Sequence, residues 1–269
     1  MDSLKIATNK KKNFNFKVGN LTIGKDLLII AGPCAIENKD QIIQTAKAVK
    51  KSGANILRGG AYKPRTSPYS FQGLGEEGLK YLLEAKKITG LPIISEVMDT
   101  KEVQTISKYV DVIQIGARNM QNFELLKAVG KQNKPVLLKR GPSATINEWL
   151  NAAEYILKEG NEKVILCERG IRTFENYTRN TIDLSAVATV KNLTNLPIVV
   201  DPSHGTGRKE LIESMSLASI ASGADGLIIE THINPNESIS DKDQTINPKE
   251  LFKIIKKVKK LNEFMKKIK

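Results

Sequence analysis

The segment LLIIAGPCAIEN, residues 27–38, decides between two α/β folds. Its first half is a continuous apolar run, as expected of a parallel strand that is covered on both faces. In a doubly wound sheet, the turn after the first strand carries a GxGxxG phosphate-binding fingerprint. GPCAIEN occupies that place here. The segment therefore argues against a doubly wound dinucleotide-binding sheet.

Seven further apolar runs follow along the chain. They are NILRGGA (55–61), PIISEVM (92–98), DVIQIGA (111–117), PVLLKR (135–140), KVILCER (163–169), PIVVDPSH (197–204) and DGLIIETH (225–232). Amphipathic helical patterns separate them, and several end at a Gly that suits a helix C-cap. Eight strand-helix units in about 250 residues predict an α/β fold of the (β/α)8 TIM barrel type.

Residues 13–24, NFNFKVGNLTIG, predict a short N-terminal β-hairpin that turns at Gly19–Asn20. We expect it to close the bottom of the barrel. The sequence indicates one barrel domain over residues 1–269. Its expected parts are an extension with the hairpin (1–25), the barrel (26–264) and a basic tail (265–269).

The net charge of +13 raises the question of nucleic-acid binding. Residues 1–25 hold six Lys and one Asp, residues 249–269 hold nine Lys and two Glu, and about +1 is left for the rest. Lys-rich tracts of this kind are typical of solvated surfaces. We therefore expect no specific nucleic-acid partner.

The chain holds no apolar run near the roughly 20 residues that span a bilayer. Its first residues, MDSLKIATNKKKNFNF, lack the apolar core of a secretory signal. These features predict a cytoplasmic protein with no membrane partner and with reduced thiols. A disulfide between Cys34 and Cys167 is therefore disfavoured.

Charged residues are unusually frequent where the predicted strands end. In (β/α)8 barrels, functional side chains gather at these positions. The basic ones are Arg58, Lys63, Arg65, Arg118, Lys139 and Arg169. A minority is expected to pair with Glu96, Glu168 or Asp201. The surplus predicts ligands that carry phosphate and carboxylate groups, which guanidinium forks bind in a bidentate manner.

Cys34, His204 and Glu230 follow strands one, seven and eight, which are neighbours when the barrel closes. Asp241, in the loop after strand eight, can fold back as a fourth ligand. Each alone has an ordinary explanation, since a lone Cys usually packs and a loop Asp often caps a turn. Their convergence predicts one divalent transition-metal ion. This ligand set suits Mn²⁺, Fe²⁺, Zn²⁺ or Co²⁺ better than Mg²⁺.

A nucleophilic Cys34 with His204 as its base is the alternative. A carboxylate beside the pair would raise the pKa of the thiol rather than lower it, which favours the metal site. Cys167 lies within the sixth apolar run, between Leu166 and Glu168, and is expected to pack.

Eight motifs occur in order along roughly residues 15–262. They are AGPCAIE (31–37), LRGGAYKPRTSPYSFQG (57–73), ISEVMD (94–99), IGARNMQN (115–122), LLKRG (137–141), ERGIRTFE (168–175), DPSHGTGR (201–208) and IIETHINP (228–235). With these motifs the chain resembles the 3-deoxy-D-arabino-heptulosonate 7-phosphate (DAHP) synthases, or phospho-2-dehydro-3-deoxyheptonate aldolases. It looks most like their short, unregulated type Iβ class.

The resemblance implies a metal-dependent aldol-type transferase. Such enzymes condense phosphoenolpyruvate with erythrose 4-phosphate and release phosphate, at the first step of the shikimate pathway to aromatic amino acids. The resemblance also implies a homo-oligomer, either dimer or tetramer. Because the pattern includes no regulatory domain, we expect little inhibition by aromatic amino acids.

The resemblance also assigns roles to residues. The metal ligands would be Cys34, His204, Glu230 and Asp241. Phosphoenolpyruvate would be held by Arg58, Arg118, Lys139 and Arg169. The aldose would meet Lys63 near its aldehyde, with Pro64, Arg65 and Thr66 towards its phosphate. Glu96 is expected near the attacking water. The catalytic set is then Lys63, Glu96, Cys34 and His204.

Two alternatives accompany this prediction. The sister family, the 3-deoxy-D-manno-octulosonate 8-phosphate synthases, uses arabinose 5-phosphate and typically has a KANRSS-like loop where this chain has KPRTS (63–67). That loop favours erythrose 4-phosphate, whereas Cys34 alone does not choose between the acceptors. A barrel that only binds phosphorylated metabolites is the other alternative, and the intact ligand set and cationic ring argue against it.

Overall fold

A computed structural model describes residues 4–63 and 67–268 of the chain. Eight parallel strands close into a barrel, which confirms the predicted fold. In barrel order they are β3 (Leu28–Gly32), β4 (Ile56–Arg58), β5 (Ile93–Val97), β6 (Val112–Ile115), β7 (Val136–Lys139), β8 (Val164–Glu168), β9 (Ile198–Val200) and β10 (Gly226–Glu230). The last strand pairs with the first, with Ile228 opposite Ile30.

The described residues also form nine α-helices. They are α1 (Lys39–Ser52), α2 (Glu76–Thr89), α3 (Val103–Tyr109), α4 (Phe123–Gly130), α5 (Ile146–Lys158), α6 (Leu184–Leu193), α7 (Pro202–Thr206), α8 (Ile212–Ala221) and α9 (Pro248–Lys267). Short 3-10 helices cover Thr100–Glu102, Ala117–Asn119, Lys209–Leu211, Pro235–Glu237 and Lys242–Gln244. Capping boxes at Thr145 and Asn247 satisfy the free N–H groups that begin α5 and α9.

Each barrel strand buries both of its faces, which explains the continuous apolar runs. Alternate residues point towards helices or towards the barrel axis. The inner cluster contains Leu28, Ile30, Ile56, Ile94, Val112, Leu137, Ile165, Cys167, Val199 and Ile228. Cys167 therefore packs as predicted. Both cysteines are buried and free.

The N-terminal hairpin closes one end of this inner cluster. Strands β1 (Phe16–Val18) and β2 (Leu21–Ile23) pair in antiparallel fashion across the predicted turn. Val18 and Ile23 are buried against the inner cluster. At the turn, Gly19 has a φ of +56°, and a Cβ there would lie 2.9 Å from Cγ of Pro92. Pro92 directly precedes β5, so the hairpin covers the N-terminal ends of the strands.

Both ends of the chain pack on the barrel. The Glu154 carboxylate of α5 accepts the N–H groups of Lys5, Ile6 and Ala7 at 2.9, 2.8 and 2.8 Å. Helix α9 continues to Lys267, so most of the predicted tail belongs to this helix. Among the described helices, none is both long and apolar enough to cross a membrane.

The seventh apolar run is shorter as a strand than the sequence predicts. Strand β9 ends at Val200, and His204 lies in the following helix α7 rather than at a strand end. Asp201 starts this helix because its side chain accepts the N–H of His204, and Pro202 suits the first helical position. Similarly, β3 ends at Gly32, two residues before Cys34.

Candidate metal and anion site

Four predicted metal ligands converge at the C-terminal rim of the barrel. Cys34, His204, Glu230 and Asp241 each offer one ligand atom, and these atoms all lie within 4.8 Å of one another. Glu230 ends β10, whereas the other three lie in the segments that follow β3, β9 and β10. The closure of β10 onto β3 brings the four together.

The contacts within this group suit a cation. Sγ of Cys34 lies 3.0 Å from Oδ2 of Asp241, and Nε2 of His204 lies 3.2 Å from Oε1 of Glu230. In each pair, lone pairs face one another unless a proton or a cation lies between them. Soft sulfur, imidazole nitrogen and carboxylate oxygen together form a donor set for a divalent transition metal. The residues therefore fit the predicted metal.

Asp201 orients the imidazole of His204. One carboxylate oxygen accepts the backbone N–H of His204 at 2.9 Å, and the other lies 2.7 Å from Nδ1. The second oxygen also accepts a hydrogen bond from Nζ of Lys139 at 2.6 Å. With the proton on Nδ1 shared with Asp201, Nε2 is available to a metal, an arrangement typical of ligating histidines.

Burial controls the protonation of the group. It raises the pKa of the Cys34 thiol to about 12, and the Glu230 carboxylate adds to this rise. Burial also lowers the pKa of His204, although Asp201 and Glu230 act in the opposite direction. Burial acts to raise the pKa of Glu230, but His204, Arg58 and Lys63 together hold it well below its usual value. Without a metal, the thiol is therefore protonated and Glu230 is ionised.

Lys63 joins the metal ligands to the neighbouring cavity. Its Nζ donates to the backbone oxygen of Cys34 and contacts Sγ of Cys34, both at 3.0 Å. Gly60 makes room for this side chain, since a Cβ there would lie 2.9 Å from Cδ of Lys63. A buried ammonium group thus stands beside the thiol and also lines the cavity.

A cavity of about 470 Å³ opens next to the ligand group. Glu96, His204 and Asp241 contribute to its wall. Its cationic side chains are Lys63, Arg118, Lys139, Arg169, Arg172 and Arg179. Burial lowers the pKa of Arg169, which means that keeping its guanidinium charged in this cavity costs free energy. Cations concentrated in this way favour polyanionic ligands.

Glu96 projects into the cavity from β5. Gln114 of β6 donates from Nε2 to its Oε2 at 2.9 Å, which fixes the carboxylate. Gly116 supplies the necessary space, because a Cβ at this position would lie only 2.0 Å from Oε1 of Glu96. Oε1 of Glu96 thus occupies the space that a side chain at position 116 would otherwise fill.

Arg58 lies deeper than the cavity wall. Its guanidinium donates to Oε1 of Glu230 at 2.7 Å, and only 5% of its side chain is exposed. It therefore holds a predicted metal ligand, and its expected contact with phosphoenolpyruvate stays a prediction. Pro64, Arg65 and Thr66 lie outside the described residues.

Part of the predicted charge pairing is confirmed. Lys139 pairs with Asp201 as predicted. Glu168 pairs instead with Arg140, which is outside the predicted basic set, at 2.9 Å, and Arg140 also pairs with Asp183 at 3.0 Å. These three residues do not line the cavity. Burial raises the pKa of Glu168, against the effect of its Arg140 partner.

Sequence reasoning missed Arg172 and Arg179, which both line the cavity. They lie several residues beyond the end of β8, whereas the prediction considered mainly residues close to strand ends. The available signal was the length of the segment between β8 and α6, residues 169–183, which carries further arginines. Long βα segments of barrels commonly fold over the site.

A (β/α)8 barrel whose C-terminal rim joins a candidate transition-metal ligand set to a cation-lined cavity is typical of enzymes that act on anionic small molecules. The chain matches the DAHP synthetase I family over residues 5–267 and belongs to that family. The resemblance seen in the motifs is thereby confirmed.

Individual relatives agree with this membership. The chain is 52% identical over 246 residues to the phospho-2-dehydro-3-deoxyheptonate aldolase of Thermotoga maritima, across 91% of this chain and 72% of that protein. A crystal structure of the DAHP synthase of Thermotoga maritima superposes with a TM-score of 0.94 at 46% identity, across 98% of this chain and 78% of that one. The 2-dehydro-3-deoxyphosphooctonate aldolase of Geobacter sulfurreducens is 30% identical, across 93% of this chain and 98% of that protein.

Proposed function

We propose that the protein is a DAHP synthase, which condenses phosphoenolpyruvate with erythrose 4-phosphate to give 3-deoxy-D-arabino-heptulosonate 7-phosphate and phosphate. One observation supports this most strongly. The ligands His204 and Asp241 line the same cavity as Arg118, Lys139 and Arg169. A metal site and a polyanion site are thus contiguous, as a reaction between two phosphorylated substrates requires.

Cys34, His204, Glu230 and Asp241 would hold the metal, which is Mn²⁺, Fe²⁺, Zn²⁺ or Co²⁺. When bound, it would polarise the aldehyde oxygen of the sugar phosphate as a Lewis acid.

The cations bind and orient the substrates. Arg118, Lys139 and Arg169 hold the phosphate and carboxylate of phosphoenolpyruvate, with Arg58 beneath them. Lys63, with Pro64, Arg65 and Thr66, receives erythrose 4-phosphate. A cavity without cations would not hold two phosphates side by side, because their mutual repulsion would separate the reacting carbons. Fixing both substrates also converts an encounter of two molecules into a local step.

Lys63 and Glu96 carry the protons. The methylene carbon of phosphoenolpyruvate forms a bond with the aldehyde carbon, and Lys63 delivers a proton to the oxygen that gains negative charge. Water adds to carbon two of the former phosphoenolpyruvate and gives a proton to Glu96. The resulting hemiketal phosphate then breaks its carbon–oxygen bond and releases inorganic phosphate.

Erythrose 4-phosphate is preferred over arabinose 5-phosphate as the acceptor. The relative named as a heptulosonate enzyme is 52% identical, whereas the relative named as an octulosonate enzyme is 30% identical. The KPRTS loop (63–67) favours the same choice.

The test is phosphate release from phosphoenolpyruvate with each sugar phosphate in turn. We expect release with erythrose 4-phosphate and at most slow release with arabinose 5-phosphate. The reverse order would identify an octulosonate synthase. Tight binding of phosphoenolpyruvate without turnover of either acceptor would identify a barrel that only binds phosphorylated metabolites.

Five further proposals come from the sequence and the resemblance. The chain acts as a single catalytic barrel at the first step of the shikimate pathway, in the cytoplasm, as a dimer or tetramer. Light scattering of the purified protein measures the oligomer directly. Aromatic amino acids should leave its rate nearly unchanged, and strong inhibition by Phe or Tyr would contradict this.

A further inference from the structure

We propose that Gln244 and Arg179 are positioning residues that aim the carboxylates of Glu230 and Asp241 at the metal. This inference rests on the proposed metal site and adds two residues that are not themselves ligands. The two side chains form a continuous hydrogen-bonded chain from Glu230 through Gln244 and Arg179 to Asp241.

Gln244 restrains Glu230. It is buried, with 3% of its surface exposed, and its Nε2 donates to Oε2 of Glu230 at 2.6 Å. Its Oε1 accepts a hydrogen bond from Arg179 at 2.9 Å. The amide orientation is therefore determined, because a carboxylate needs a donor and a guanidinium needs an acceptor. Methionine or leucine at this position supplies neither.

Arg179 restrains Asp241. Its guanidinium donates to Oδ1 of Asp241 at 3.2 Å as well as to Gln244. The backbone of Arg179 is itself fixed, since its N–H donates to the oxygen of Thr206 at 2.8 Å. Gly207 lies against its stem, where a Cβ would approach that of Arg179 to 2.5 Å.

In each carboxylate, Gln244 or Arg179 holds one oxygen, and the other, presented oxygen faces another predicted ligand. Gln244 holds Oε2 of Glu230. Oε1 faces Nε2 of His204 at 3.2 Å and also accepts a hydrogen bond from Arg58 at 2.7 Å. Arg179 holds Oδ1 of Asp241, and Oδ2 faces Sγ of Cys34 at 3.0 Å. The two presented oxygens thus point at the other two ligands, into the space where a metal would bind.

Asp241 needs this support more than the other ligands do. Among residues 4–63 and 67–268, it is the single non-glycine residue with a positive φ, at +56°. Such a backbone conformation costs free energy outside glycine, although Asp tolerates it better than most residues. Asp241 also lies in a loop rather than at a strand end. A hydrogen-bond partner on its side chain therefore fixes the direction of the Asp241 carboxylate, which the backbone alone does not determine.

The experiment is a titration of the chelator-stripped protein with Co²⁺, read by the visible absorption of the bound ion and by competition with a chelator. Gln244→Met keeps the side-chain length and removes the amide, and it should weaken Co²⁺ binding about 10- to 100-fold. Its spectrum should also shift, because a misaimed Glu230 changes the ligand field. A purely structural role would lower the melting temperature and leave the spectrum unchanged.

Arg179→Met is the second variant, and its side chain is 38% exposed, so folding should tolerate it. We expect a weaker Co²⁺ affinity here too. The effect of the double variant should be smaller than the two single effects combined, because both disrupt the same hydrogen-bonded chain. Fully additive effects would show that Gln244 and Arg179 do not act through one connected series of hydrogen bonds.

Gln41→Met is the matched control. Gln41 is similarly buried, with 7% exposed, but its amide contacts backbone groups of Ala35 and Glu37. We expect wild-type affinity and an unchanged spectrum. If Gln244→Met and Arg179→Met also behave as wild type, the positioning role is wrong while the metal site stands. If the wild type fails to bind Co²⁺, or Cys34→Ser binds it equally well, the metal site itself fails and the inference with it.

Discussion

The two ends of the barrel differ in what fills them, although the same strands supply both. Towards the N-terminal end, Leu137 of β7 and Ile228 of β10 pack beneath the hairpin. Two residues further along the same strands, Lys139 and Glu230 point into the C-terminal rim and are almost fully buried. One end therefore contributes apolar burial, and the other holds charges where a ligand can reach them.

This difference separates stability from function. Buried ion pairs such as Arg58–Glu230 and Lys139–Asp201 recover in attraction roughly what burial costs them. Well-packed apolar groups of the same size would serve stability as well or better. The rim therefore keeps its charges for binding and catalysis, and the apolar end stabilises the fold that holds them in place.

The largest effect is expected at the rim. Cys34→Ser replaces the soft ligand with a poor one and should lower phosphate release at limiting metal about 10³-fold or more, since Lewis-acid assistance contributes several kcal/mol. The melting temperature of the metal-free protein should stay within a few degrees of wild type. A steady-state assay beside a thermal melt checks both, and full activity in chelator would contradict the metal site.

The apolar end should respond in the opposite way. Ile23→Ala, at a fully buried position of the hairpin, should lower the free energy of unfolding by about 2–4 kcal/mol through the cavity that it leaves. The KM for phosphoenolpyruvate, measured where the variant is folded, should not change. Urea denaturation with parallel kinetics tests this, and a large rise in KM would show that the two ends are coupled.

Arg169 is expected to improve substrate binding while lowering the stability of the free protein. Burial lowers the pKa of Arg169, so keeping this cation buried costs free energy in the free protein. Arg169→Met should raise the KM for phosphoenolpyruvate about 10- to 100-fold, as expected when a hydrogen bond from a charged group is lost. It should also stabilise the free protein by about 1 kcal/mol. Loss of stability together with an unchanged KM would place Arg169 in the structural framework.

The smallest effect is the pH dependence of metal affinity. With a pKa of about 12, the Cys34 thiol is protonated across pH 6–8 in the metal-free protein. Metal binds the thiolate, so binding releases one proton, and acid opposes it. Burial lowers the pKa of His204 below its usual value of 6.5, so its imidazole is mostly neutral from pH 7 upwards and adds no second proton there. Affinity should rise about tenfold per pH unit, and calorimetry in two buffers counts the proton. A pH-independent affinity would mean that the thiol does not ligate.

The barrel and the grouping of the four predicted metal ligands could be predicted from the sequence, because hydrophobic periodicity locates the strands and the strand ends locate the site. Eight doubly buried strands leave continuous apolar runs, and the closure of a barrel brings the first, seventh and eighth strand ends together. Cys34, His204, Glu230 and Asp241 could therefore be grouped from the sequence. The hairpin was predictable because Gly19–Asn20 interrupts two short alternating runs.

The remaining parts depend on tertiary contacts. Arg58 of β4 is buried against Glu230 of β10, which lies on the far side of β3, and strand patterns do not specify this pairing. Gln244 ends a short 3-10 helix and Arg179 lies in a loop 65 residues away, and neither segment has a periodic pattern, so only the folded chain reveals their contact. Helix α7 replaced the end of a predicted strand because Asp201 and Pro202 together start a helix.

If the rim unites a metal site and a polyanion site in one DAHP synthase, phosphate release must depend on both. The most direct test measures phosphate release from phosphoenolpyruvate and erythrose 4-phosphate after complete removal of metal, while Mn²⁺, Fe²⁺, Zn²⁺ or Co²⁺ is returned stepwise. We predict no release without metal and activity that saturates at one ion per chain. Undiminished phosphate release from the metal-free protein would show that the reaction does not need a metal ion.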